Sequence, residues 1–104
     1  MKISLEVNEQ DIITRLGFAL RAARIKDRQT QDEFAARIGV SRWTVAAMEK
    51  GDSKVSLAAW IKASNLLGLL AGWDSVLQEP EDPFARYDQE QAIKDQLLKR
   101  RVRK

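Results

Sequence analysis

Between Thr30 and Gly51 the chain is punctuated so closely that two short helices joined by a tight turn are the natural solution. The Thr30 hydroxyl can accept from the amide of Glu33, and the Glu33 carboxylate can reach back to Thr30, a Thr-x-x-Glu capping box. Phe34, Ala35 and Ile38 then recur at helical spacing and face inward. Gly39 stops this helix, because glycine tolerates the left-handed conformation that a tight C-terminal turn requires. Ser41 caps the next helix, which carries Val45 and Met48 inward and ends near Glu49. Gly51 terminates it by the same chemistry.

The flanking segments read as further helices. Asn8 is the expected N-cap of a helix over roughly 9–26, with Glu9 and Asp11 in its first turn. Its apolar residues are Ile12, Ile13, Leu16, Leu20, Ala23 and Ile25. Gly17 within it either weakens the helix or permits close packing. Ser56 caps a helix over roughly 57–67, with Leu57, Trp60, Ile61, Ser64 and Leu67 on one stripe and Gly68 as its stop. A fifth short helix is expected over about 70–78. Before all of these, Ile3, Leu5 and Val7 alternate with polar residues. That period of two suits either a short strand paired to a second copy or partner, or a frayed terminus. Pro80 and Pro83, set among acidic residues, close the folded unit. The fold class is therefore all-α, with a domain over 1–79 and a charged, core-poor tail over 80–104. That tail is flexible or partner-binding, with a helix over about 87–101 if a partner offers a groove.

Composition narrows the function. The chain has 104 residues, no Cys and no His. Thiolate metal sites and most nucleophile–base pairs cannot be built, so no metal, no cofactor and no enzymatic activity are expected. No apolar run approaches the length of a membrane span, and the N-terminus lacks the apolar stretch of a signal peptide, so a cytoplasmic, nucleoid-associated protein is expected. The net charge of +3 weakly favours a polyanionic partner.

The spacing itself points to a helix-turn-helix. Ala35 lies four residues before Gly39, where two helices cross too closely for a large side chain. Val40 plugs the turn and Val45 faces the first helix of the pair. In such a unit the second helix lies in the DNA major groove. An αα-hairpin without a DNA role could share these positions. Base reading would come from the exposed front of the second helix: Ser41, Arg42, Trp43, Thr44 and Ala47. Arg42 is the strongest candidate, because a guanidinium can bond guanine N7 and O6 together. Trp43 either packs on a thymine methyl or sugar edge, folds back onto the preceding helix, or meets a partner protein. Phosphate contacts would come from Arg28, Arg37, Lys50, Ser53 and Lys54, each of which could equally be a solvated surface residue.

The segment TQDEFAARIGVSRWTVAAMEKG resembles the Xre/Cro-type (phage-repressor-like) helix-turn-helix family, and the likeness extends over roughly residues 15–77. The resemblance implies five helices, homodimeric binding and a palindromic operator of double-stranded DNA. It assigns Gln31 to a phosphate contact that also braces the recognition helix, and Arg24 and Glu49 to a salt bridge between the first and third helices. Gln31 follows the cap, where free amides and the positive helix end favour a phosphate; a solvated residue is the alternative. Glu49 sits at a helix end where a carboxylate meets an unfavourable dipole unless paired.

Leu66, Leu69, Leu70, Trp73 and Leu77 exceed the apolar content of one helix face. They suggest a dimer seam, with a larger monomer core as the alternative. The stretch LLGLLAGWDSVLQEPEDPFARYDQEQ and the basic end KRRVRK resemble the C-terminal region of HipB-like antitoxins. That resemblance implies a toxin–antitoxin module: a repressor of its own operon that also holds a HipA-like Ser/Thr kinase toxin inactive. Phe84 and Tyr87 would anchor the tail on such a partner. A stand-alone repressor, or an adaptor that retains the fold, are the competing readings, as is a solvated tail.

Overall fold

A computed structural model describes residues 2–79 and 83–102. Five α-helices succeed one another: α1 (Val7–Lys26), α2 (Gln31–Ile38), α3 (Arg42–Glu49), α4 (Leu57–Leu66) and α5 (Pro83–Val102), with a 3-10 helix at Leu70–Ser75 between the last two. The chain divides into two compact units, Met1–Asp74 and Ser75–Lys104. No strand is present among the described residues, and the alternating segment before α1 runs as coil.

Helix α1 begins earlier than its apolar pattern implies. Its N-cap is Glu6, not Asn8, and Glu6 forms a capping box with Glu9. The Glu6 amide donates to Glu9 Oε1 at 2.8 Å. Of the expected apolar stripe only Leu20 is fully buried, alongside Gly17 and Arg24, while Ile12, Leu16 and Ile25 are exposed. The helix thus buries a narrow seam against its neighbours rather than a broad face.

The caps of the next three helices form as the residue types dictate. Thr30 accepts from the Glu33 amide at 3.1 Å, and Thr30 N–H donates back to Glu33 Oε1 at 3.1 Å. The bond from the Thr30 amide, together with the Thr30 hydroxyl, holds the Glu33 carboxyl below its ordinary value. Ser41 accepts from the Thr44 amide at 3.2 Å, and Ser56 from Ala59 at 3.2 Å. Gly39 takes φ 78°, and the amides of Gly39 and Val40 both return to the Ala35 carbonyl. A side chain at that φ would cost roughly 1–2 kcal/mol.

The core is one cluster of Leu20, Phe34, Ala35, Ile38, Val45, Met48, Ala59, Trp60 and Ala63. Val40, Val55, Leu66, Leu67 and Trp73 pack against it. Phe34, Val45 and Met48 are completely buried, and each burial stabilises by about 1.5–3 kcal/mol. The expected stripe of α4 is shifted: Ala59, Trp60, Ala63 and Ser64 are buried, whereas Leu57 is exposed. Ser64 is satisfied in that interior, donating to the Trp60 carbonyl at 2.8 Å and accepting from Trp73 Nε1 at 2.7 Å.

The second unit carries α5 over 20 residues. The helix expected over about 87–101, given a partner's groove, is present over Pro83–Val102 in the chain by itself. The physical reason is local. Pro83 occupies the first helical position, where its missing N–H costs nothing, and the good helix formers Gln, Glu, Lys, Leu and Ala fill much of the remaining helix. Arg103 and Lys104, the last of the basic end, lie outside the described residues.

Candidate nucleic-acid interface

Helix α3 has two faces with opposite environments. Val45 and Met48 point into the core, while Trp43 is 74% exposed. What fixes the helix is the crossing with α1. A Cβ on Gly17 would stand 2.5 Å from the Met48 carbonyl oxygen and 2.8 Å from that of Glu49. Only a hydrogen at position 17 lets the two backbones meet, so close packing is the role of Gly17. Gln10 secures the same junction further along, donating from Nε2 to the Gly51 carbonyl at 2.8 Å.

A polar lock sits at the end of this crossing. Arg24 Nε bonds Glu49 Oε2 at 2.6 Å, and a second guanidinium nitrogen bonds Oε1 at 3.0 Å. The remaining Arg24 nitrogen donates to the Gln29 carbonyl at 2.7 Å. Both side chains are almost fully buried, at 10% and 4% exposure. The bond to Glu49 pushes the Arg24 pKa further above its ordinary value, against the opposing effect of burial. Gln31 Nε2 donates to Glu49 Oε1 at 3.1 Å, so Gln31, Glu49 and Arg24 form one network joining α1, α2 and α3. The expected Arg24–Glu49 pair is therefore in place. Gln31 is half-buried and engaged in bracing α3.

Gln29 is a member of this network that the sequence did not single out. It is buried, its amide nitrogen bonds Asp27 Oδ2, and its Oε1 accepts from Arg37 at 3.3 Å. No periodic signal marks it, because its part depends on where the chain turns after α1. That turn passes through Arg28, whose φ of 55° is left-handed. Arg28 is exposed beside it.

The outward front of α3 brings the candidate base-reading residues together. Ser41 is exposed, and its hydroxyl is occupied with the cap and with Thr44 Oγ1 at 3.1 Å. Arg42 lies with its guanidinium carbon 4.9 Å from the centre of the Trp43 ring. Its Nε stands 3.9 Å from Asp32 Oδ1 of α2. Thr44 and Ala47 are half-exposed behind them. Trp43 does not fold back as core; it forms one wall of an open groove of about 480 Å³. Val40, Thr44 and Ala47 line the same groove, with Asp52, Lys54, Val55, Ser56 and Ala59 from beyond α3. Lys50, Ser53 and Lys54 are exposed in the loop after the helix, where Asp52 Oδ1 accepts from the Lys54 amide at 2.8 Å.

The candidate seam residues divide by environment. Leu66 and Trp73 are half-buried against the core, while Leu69 and Leu70 remain exposed. In the second unit Leu77, Phe84 and Tyr87 are exposed. Among the described residues no helix is long and apolar enough to cross a membrane.

No curated protein matches the chain significantly. The family model described as Helix-turn-helix matches residues 20–73, more than half of the chain, and spans α2, the turn, α3 and α4. The locked inner face of α3, its presented outer face and this match lead to one conclusion: the chain belongs to the Xre/Cro-type helix-turn-helix family of DNA-binding transcription regulators.

Proposed function

We propose that this protein is a sequence-specific repressor that reads a palindromic operator as a homodimer. The observation that carries the reading is the pairing of a rigidly held α3 with an outward front of Ser41, Arg42, Trp43, Thr44 and Ala47. A reading head must hold its side chains in fixed register, and the Gly17 crossing and Arg24–Glu49 lock supply that. Arg42 reads guanine in the major groove, while Trp43 and the groove beside it receive apolar base edges. Phosphates are held by Gln31, Arg28, Arg37, Lys50, Ser53 and Lys54, which set orientation rather than sequence. Leu69 and Leu70, exposed near Leu66 and Trp73 in the chain, support a two-fold seam; Leu77 is the further seam candidate from the second unit. Selection of bound duplexes from a random pool tests this. A palindromic consensus with half-sites about one helical turn apart is the expected result. Recovery of unrelated sequences would refute it.

A finer reading makes the protein the antitoxin of a HipA-like Ser/Thr kinase, repressing its own operon. It rests on the resemblance of the C-terminal region, and it is supported by Phe84 and Tyr87, both exposed on α5. Co-purification with a HipA-like kinase encoded beside it, lost on Phe84→Ala with Tyr87→Ala, is the expected outcome. A lone gene and no kinase association would leave a stand-alone repressor.

A further inference from the structure

We infer that Asp32 is a specificity-determining residue, positioning Arg42 from its Nε side for guanine while repelling the phosphates of non-cognate DNA. The inference rests on the operator-reading face proposed above and adds a residue to it. Two groups converge on the Arg42 guanidinium. The Asp32 carboxylate lies 3.9 Å from its Nε, the Trp43 ring lies 4.9 Å beneath it, and the remaining donors face solvent at 50% side-chain exposure. Asp32 is itself 74% exposed and stands in the first turn of α2, where the helix dipole favours a negative charge. The carboxylate thus stands beside Arg42 on the face proposed to meet DNA.

A carboxylate in that position has two effects. It repels phosphates and offsets the charge of Arg42, so binding that relies on charge alone is weakened. It also engages Arg42 from the Nε side, which leaves the terminal guanidinium donors for the two acceptors of guanine. Discrimination thereby gains a repulsive element, the weakening of charge-only binding, to accompany an oriented attraction. The Trp43 ring fixes the plane of the guanidinium, since a stacked arginine retains its edge donors.

The test uses the full chain and its Asp32→Asn, Arg42→Ala and double variants, titrated with the selected operator and with a scrambled duplex. Asp32→Asn is expected to tighten the scrambled duplex by about two- to fivefold, the range of an exposed ion pair, and to lower the operator-to-scrambled ratio. With Arg42→Ala already present, Asp32→Asn is expected to leave that ratio unchanged. Equal tightening on both duplexes in the otherwise native protein would overturn the inference, because a general charge effect would account for it. In the free protein, the Arg42 Nε–H resonance is expected to shift on Asp32→Asn; an unmoved resonance would also overturn it. A native protein with no preference between the duplexes would instead sink the operator reading, and this inference with it.

Discussion

The inward and outward faces of α3 share eight residues and almost nothing else. Inward, Val45 and Met48 are sealed in the core and Glu49 is locked to Arg24 and Gln31. Outward, Arg42 and Trp43 touch each other and Arg42 reaches toward Asp32, with much of their surface in water. The difference separates two kinds of cost. A change on the inner face must appear in folding before it appears in DNA binding. A change on the outer face should leave folding untouched and alter discrimination alone.

Glu49→Ala breaks the inner face hardest. It strands a buried Arg24 guanidinium and frees Gln31, and it should cost about 3–5 kcal/mol in denaturant unfolding. Gly17→Ala comes next, at about 1–3 kcal/mol, because the atoms in its way are the Met48 and Glu49 backbone and cannot swing aside. On the outer face, Arg42→Ala should leave the unfolding midpoint unchanged while removing about 1–3 kcal/mol of discrimination at one base pair. If Arg42→Ala destabilises the fold as Glu49→Ala does, the division between faces is wrong. Lys54→Ala is milder still: affinity for all duplexes should fall together and the salt slope should shallow by about 1.

An acid titration sharpens the same contrast at the start of α2. The Glu33 carboxyl is held low mainly by the backbone bond with Thr30. A group whose folded pKa is depressed stabilises above its unfolded value and loses that contribution as pH falls through the folded one. The stability difference between the native protein and Glu33→Gln should therefore be present at neutral pH and vanish below the ordinary glutamate range. A difference that persists undiminished in acid would show that the capping box is not its source.

The features legible in the sequence were those set by a few adjacent residues. Thr30 with Glu33, Ser41 before Arg42, Ser56 before Leu57, and Gly39 after Ile38 each specify a local geometry, and each is found in place. The Arg24–Glu49 pair was accessible through resemblance, since the two positions are distant in the chain. What escaped depends on which elements meet. Gly17 could not be decided without knowing that the carbonyls of α3 cross it. Gln29 and Asp32 carry no periodic signal, and their partners lie across turns or on another helix. The start of α1 escaped because a glutamate pair capped it where an asparagine stood nearby. The apolar pattern of α1 misled for the converse reason: Ile12 and Ile25 sit at helical spacing, yet no neighbour in this unit covers them. In α5, favourable helix formers outweigh the low apolar content that suggested an unstructured tail.

The front of α3 is proposed to read base edges. The most direct test of this reading is a pair of duplex titrations at low and moderate ionic strength, comparing the native protein with Arg42→Ala on the selected operator and on that operator changed at each guanine in turn. Steep salt dependence, tight binding by the native protein to the intact operator, and one guanine whose replacement no longer matters once Arg42 is gone are the expected results. Failure to bind any duplex at low ionic strength, or a native pattern of guanine sensitivity in Arg42→Ala, would contradict it.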